Sequence, residues 1–168
     1  MQLVLLKKSD VEKLLEFELD NRAWFEQNIP AREIGFYSKQ GVRKHIQLFL
    51  DEYRQKSMIP MLIVNTSGDI LGRINVSEIN RKKSVAYLGY RVGKKSINQG
   101  VAKFAVASII GILEKIGIQR LVAFASTENQ ASQNVLLSSG FTPGKVVKKY
   151  AQMNNKSVDC IEFQLLLS

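Results

Sequence analysis

A chain of 168 residues can build one domain with a full core, and 45% hydrophobic with 23% charged residues excludes the disordered and membrane classes. Lys and Arg number 24 against 15 Asp and Glu, a net charge of +9 at pH 7 spread in small clusters such as Arg81-Lys82-Lys83 and Lys94-Lys95. An anionic ligand accounts for part of that excess, and no nucleic-acid-binding motif accompanies it.

Met1 to Leu6 is too short for the hydrophobic region of an export signal and reads as a first strand. No run approaches the roughly 20 apolar residues of a membrane span. The single cysteine, Cys160, has no internal disulfide partner, reads as a buried structural thiol, and fits a cytoplasmic location. Ser9-Asp10-Val11-Glu12 reads as a capping box opening a helix from about Asp10 to Asn21, with Val11, Leu14, Leu15 and Leu19 at helical spacing. Asn21 to Ser38 reads as irregular; its aromatics, Trp24, Phe25 and Phe36, plug the core or wall an acceptor pocket. A second helix is predicted over about Gln40 to Lys56, with Val42, Ile46, Phe49 and Tyr53 on its apolar face and His45 off it, at the surface.

From Met58 the period becomes that of strands. Met61 to Val64, Ile70 to Ile79 and Val85 to Val92 form a meander, with turns at 65–69 and 80–84. A long apolar helix then runs to Ile116, Gly117 stops it, and Arg120 to Ala125 is a buried strand. Asn129 to Ser139 is a short helix ending at Gly140, and Phe141 to Ala151 with Val158 to Leu167 form a final hairpin. The order β-α-α-β-β-β-α-β-α-β-β, without repeat or linker, predicts one α/β domain over 1–168 with a single mixed sheet and helices on both faces.

The most informative stretch is Val85 to Ile116: strand, basic loop, helix start. Unpaired N–H groups at a helix N-terminus, backed by the helix dipole, stabilise an anion without any special side chain. Gly89 inside the strand marks a bulge or a tight packing point; a bulge would splay this strand from Arg120 to Ala125 and open a cleft above the loop. Gly100 and Ala102 at the helix start leave room for a pyrophosphate to approach the backbone.

These residues resemble the GNAT superfamily of acetyl-CoA-dependent N-acetyltransferases, over almost the whole chain. Ile97-Asn98-Gln99-Gly100-Val101-Ala102 matches the family's Gln/Arg-x-x-Gly-x-Gly/Ala motif at Gly100 and Ala102, departs from it at Ile97, and has Asn98 where a glycine is common. Asn129-Gln130-Ala131-Ser132, with Gly140-Phe141 closing the helix, matches a second signature in full. Tyr87-Leu88-Gly89-Tyr90 is similar to the strand motif of the branch containing the ribosomal-protein-alanine N-acetyltransferases.

The resemblance implies a GNAT-like sheet of about seven strands, splayed between the fourth and fifth. It also implies acetyl-CoA as cofactor and CoA as product. Tyr90, Arg91 and Val92 would bind the pantetheine arm, Asn98, Gln99, Gly100, Val101 and Ala102 the pyrophosphate, and Asn129 the pantetheine amide. The tyrosine that protonates the departing thiolate in many members is replaced by Leu136; Ser132, one turn earlier on the same face, would stabilise the thiolate instead, or makes only a local backbone bond. No metal is implied. Glu78 is the first candidate for a base, with Glu128, Asp159 or a water chain as alternatives. Trp24, Phe36 and Tyr87 would contact the acceptor.

The implied reaction is acetyl transfer to a primary amine by direct attack in a ternary complex, with a protein or peptide N-terminus as acceptor, possible ribosome association through charge, and a monomer or homodimer as the acting form. The alternatives are acetylation of a small-molecule amine, such as an antibiotic or amino acid, and a CoA-binding module that has lost catalysis.

Overall fold

The computed structural model describes all 168 residues. Seven strands make one sheet: β1 (Gln2–Leu5), β2 (Ile59–Val64), β3 (Ile70–Asn80), β4 (Val85–Val92), β5 (Arg120–Ser126), β6 (Thr142–Met153) and β7 (Lys156–Leu166), in the order β1-β2-β3-β4-β5-β7-β6. Only β4 and β5 are parallel, and α4 supplies the crossover that a parallel pair requires. The helices are α1 (Val11–Asp20), α2 (Arg22–Glu26), α3 (Lys39–Arg54), α4 (Val101–Lys115) and α5 (Gln130–Ser138). No helix is long and apolar enough to cross a membrane.

Strand alternation sends neighbouring side chains to opposite faces and so builds two cores. Ile63, Ile74, Val76 and Leu88 pack with Ala105, Ile109 and Leu113 of α4 and Leu136 of α5. On the other face, Leu62 and Val64 pack with Leu14 and Phe17 of α1 and Val42 and Ile46 of α3. Fully burying one such aliphatic side chain contributes about 1.5–3 kcal/mol, so the helices are held mainly by these stripes. Cys160 is buried on β7.

The splay between the fourth and fifth strands decides where a ligand enters. β4 pairs with β5 only from Val85↔Arg120 to Leu88↔Ala123, and past Leu88 both strands continue without pairing to each other. Gly89 is not a bulge: its register with β3 runs unbroken from Gly72↔Val92 to Ser77↔Tyr87, and the irregularity lies at Ser77/Asn80. Nor is it a tight packing point, since a Cβ there would meet nothing within 4 Å. Its missing side chain simply leaves the cleft open.

Several local expectations are corrected. Asp10 stands before α1 without capping it: its carboxylate accepts from the Lys7 N–H at 2.8 Å and closes the preceding 3-10 turn, and Ser9 takes no part. Leu19 and Tyr53, expected on apolar faces, are 47% and 41% exposed, each in the last turn of its helix. His45 is not a surface residue: it lies between Phe36 and Phe49 and bonds to Arg73. The segment 21–38 contains the short helix α2 and a 3-10 turn at Ile34–Phe36. The β6–β7 hairpin is longer and tighter than predicted, because Asn154 and Asn155 both adopt positive φ, the conformation a two-residue turn requires.

Candidate functional site

Two cavities meet at the splay. One is a groove of ≈ 940 Å³ between the start of α4 and α5, and the other a cavity of ≈ 400 Å³ between β3, β4, β5 and the β6–β7 hairpin. Tyr90, Arg91, Asn129 and Ser132 line both, with Asn28 and Ile29 from the segment after α2.

The groove is built from backbone. Gly100 precedes α4 at φ 76, a left-handed conformation that costs glycine nothing, and a Cβ there would meet no protein atom within 4 Å. Asn98 also sits at φ 58, which explains why a glycine or asparagine suits this loop. None of the N–H groups from Asn98 to Lys103 finds a hydrogen-bond partner within the protein, and the first bond of the helix runs from Phe104 N–H to Gly100 O. Donors left this way at a helix start are complementary to a phosphate. Asn98, Gly100, Val101 and Ala102 line the groove, as does Ile97. Gln99 lies outside the lining, its side-chain amide donating to Lys95 O at 3.0 Å.

Along β4, the edge facing β5 is free beyond Leu88, which suits strand-like pairing to an extended ligand. The Val92 carbonyl is already taken by the Trp24 indole N–H at 3.2 Å. Trp24 therefore walls the groove, whereas its expected place was against the acceptor. Phe36 lines neither cavity; it packs edge-on against Tyr37 and His45 with the Arg32 guanidinium over its ring.

At the junction, Asn129 caps α5 by accepting the Ser132 N–H at 3.1 Å. Ser132 Oγ lies 3.2 Å from the Tyr90 hydroxyl, which also reaches Ser132 O at 3.3 Å. Burial raises the Tyr90 phenol above its ordinary value, against the opposing hydrogen bond from Ser132, so Tyr90 keeps its proton. Leu136 is fully buried in the core and faces neither cavity. Tyr90 thus supplies a phenol at the site from a strand, while the α5 position that carries a tyrosine in many GNAT members holds Leu136.

The smaller cavity is built from side chains. Glu78 and Tyr87 line it, and Tyr87, Phe124 and Tyr150 stack in sequence at 6.3 and 4.6 Å between ring centroids. Glu78 sits at φ 49 beside the β3 irregularity. The other candidate bases are engaged elsewhere: Glu128 binds Lys156 at 2.8 Å, and Asp159 binds Lys148 at 3.3 Å and the Lys149 N–H at 2.9 Å.

Sequence reasoning missed a charged cluster against this cavity. Glu18 on α1, 1% exposed, accepts from Arg32 at 2.8 Å, from Arg73 on β3 at 2.8 Å and from Arg91 on β4 at 3.3 Å. Burial alone pushes the Glu18 carboxyl up, but the combined pull of Arg91, Arg73 and Arg32 carries it below the usual value. Arg73 also donates to His45 Nε2 at 2.7 Å. Burial first and Arg73 second hold His45 down to about 3, so it is a neutral acceptor. Burial lowers Arg91 to about 10, still a cation near neutrality.

The acetyltransferase (GNAT) domain model matches residues 1–142. YjcK, a probable N-acetyltransferase of Bacillus subtilis, is 25% identical over 152 residues, which span 89% of this chain and 84% of that protein. A ribosomal-protein-alanine acetyltransferase of Vibrio fischeri superposes with a TM-score of 0.92 at 21% identity, covering 98% of this chain and 92% of that one. RimL, a ribosomal α-N-protein acetyltransferase solved in complex with coenzyme A, superposes with a TM-score of 0.89 at 23% identity, covering 98% and 93%.

Proposed function

The chain belongs to the GNAT acetyltransferase family, and from that premise we propose that it is a single-domain, cytoplasmic, acetyl-CoA-dependent N-acetyltransferase whose acceptor is the amine of a protein or peptide N-terminus. The observation that carries the cofactor reading is the run of unpartnered N–H groups from Asn98 to Lys103, opening into a groove continuous with the free edge of β4. The residues present fit that group: backbone donors for the pyrophosphate, a strand edge for the pantetheine arm, and no side chain at Gly100 to obstruct either. RimL, of the same fold, was solved with coenzyme A.

Bound acetyl-CoA supplies an activated acyl carbon and a thiol leaving group. The chain's own part is positioning and proton management. The β4 edge and the α4 start fix one reactant, and the smaller cavity orients an amine toward the junction, which converts a bimolecular encounter into an oriented contact. Ser132 holds an exchangeable proton at that junction, and the Tyr90 hydroxyl 3.2 Å away is the group that restores it. Glu78 lines the acceptor cavity and receives the ammonium proton directly or through water.

Two likenesses to ribosomal-protein acetyltransferases support an N-terminal acceptor, and the net charge of +9 favours association with ribosomes through their RNA. A cavity of ≈ 400 Å³ suits the first residue or two of an extended peptide. Free thiol released from acetyl-CoA should be followed with a panel of N-terminal peptides beside free amino acids and antibiotic amines. Release with peptides supports the reading. Release only with small-molecule amines moves the acceptor class, and a rise in melting temperature with acetyl-CoA but no release with any acceptor leaves a binding module.

A further inference from the structure

The cluster behind the acceptor cavity is not neutral. Arg32, Arg73 and Arg91 converge on one carboxylate, Glu18, while His45 receives a hydrogen bond from Arg73 and carries no charge. Three cations against one anion leave two positive charges uncompensated. The other ionisable groups nearby do not correct this: Glu26 is spent on Arg22 at 3.2 Å, and burial keeps the Tyr37 phenol protonated. Glu78, the remaining carboxylate lining the cavity, lies on β3 within the irregularity at Ser77/Asn80 and forms no ion pair with any of the three arginines.

The uncompensated charge faces the place where the acceptor would lie. Arg73 and Arg91 are directly opposed on β3 and β4, and both line the acceptor cavity. Arg73 is 2% exposed and its Nε has no partner. Arg91 uses only Nη1 within the protein, leaving Nε and Nη2 free to donate. Two residues along β3, Asn75 Oδ1 is buried and also unpartnered, opposite Gly89, which has no side chain to cover it. A buried guanidinium donor without an acceptor beside a buried carbonyl oxygen without a donor is a pair of complementary vacancies for a ligand that is anionic at one end and an amine at the other.

Resting on the acetyltransferase reading, we propose that the acceptor amine carries a carboxylate close to it, held by Arg91 and Arg73, with Asn75 Oδ1 accepting from the amine side. Such a carboxylate is supplied by an acidic side chain at the first or second position of a peptide, or by the α-carboxylate of a free amino acid. Pairing it with the cluster neutralises one of the two spare charges through charge-assisted hydrogen bonds. A polycationic acceptor is disfavoured at the same point by like-charge repulsion.

The test compares isosteric acid and amide pairs as acceptors of the full chain: peptides with Asp or Glu at the first or at the second position against Asn or Gln there, and free amino acids against their amides. At least one series is expected to show kcat/KM tenfold or more higher for the acid, and which series does so identifies the source of the carboxylate. The preference should shrink severalfold in Arg32→Gln, which removes one spare charge without altering the cavity lining; a melting curve of that variant with acetyl-CoA checks that it folds. The same pairs are also titrated as ligands in the presence of coenzyme A, following the melting temperature. Turnover of amides equal to that of acids in both series, or equal stabilisation by the two, overturns the inference and leaves the transferase intact. Failure of the underlying reading looks different: acetyl-CoA neither binds nor releases thiol.

Discussion

The two halves of the cleft are made of different material. The groove at the start of α4 is an arrangement of backbone, six successive N–H groups released by a left-handed Gly100 and Asn98. The smaller cavity rests on side chains drawn from α1, the segment after α2, α3, β3 and β4, tied together through Glu18. A backbone site tolerates changes of side chain and is lost only when the chain path changes. A side-chain site depends on each member of a buried network and can be retuned by one substitution.

The largest way to break the comparison is Glu18→Ala. Removing the only carboxylate leaves three guanidinium groups facing one another, Arg73 fully buried and Arg32 and Arg91 largely so, and should cost about 3–5 kcal/mol of stability, read from denaturant unfolding. A loss below about 1 kcal/mol would mean that the cluster is well solvated and that the contrast is overstated.

Next in size is Ser132→Ala, expected to lower kcat about 10²-fold with the KM for acetyl-CoA little changed, since the groove's backbone is untouched. Tyr90→Phe should lower kcat less, and the double variant should fall short of the product of the two, because both act on one proton. A fully multiplicative double variant would separate their roles.

The third is a pH effect confined to the side-chain half. His45 is held to about 3 in the folded chain, below its ordinary value near 6.5, so between those values the unfolded chain binds the extra proton. Its contribution is fully present above pH 6.5 and is lost as pH falls, by about 2 kcal/mol between pH 6.5 and 5 at roughly 1.4 kcal/mol per unit. His45→Gln should flatten that part of the stability profile; an unchanged slope would assign it to other groups. Smallest is Gly100→Ala, in which a Cβ at φ 76 costs about 1–2 kcal/mol locally and weakens acetyl-CoA about tenfold, with unfolding of the rest little altered.

The same contrast decides what could be read from the residues alone. Gly100, Ala102 and the Asn129 to Ser132 signature are local patterns, and they mark the groove and the cap; the splay beyond Leu88 is implied by the family resemblance and not by a bulge at Gly89. Glu18 meets its three arginines across 14, 55 and 73 residues, separations that no periodicity or motif encodes. A buried glutamate in an amphipathic helix, one turn after Leu14 on its apolar stripe, is the only trace the cluster leaves in the sequence. His45 follows the same rule: three residues after Val42 and four before Phe49 it shares the packed face of α3, but the partner that satisfies its ring nitrogen, Arg73, is brought to it only by the fold. Trp24 and Phe36 were both assigned to the acceptor from their aromatic character, yet one walls the groove and the other stacks behind the cluster.

The central claim is that acetyl-CoA is held by the backbone donors of the α4 start and the unpaired edge of β4. Amide hydrogen exchange with and without acetyl-CoA tests it most directly, because it reads those N–H groups one segment at a time. Protection should appear on binding at Asn98 to Lys103 and Gly89 to Val92, regions with free donors or a free edge in the unliganded chain. Binding that leaves exchange at both segments unchanged, or protection confined to the acceptor cavity, would contradict it.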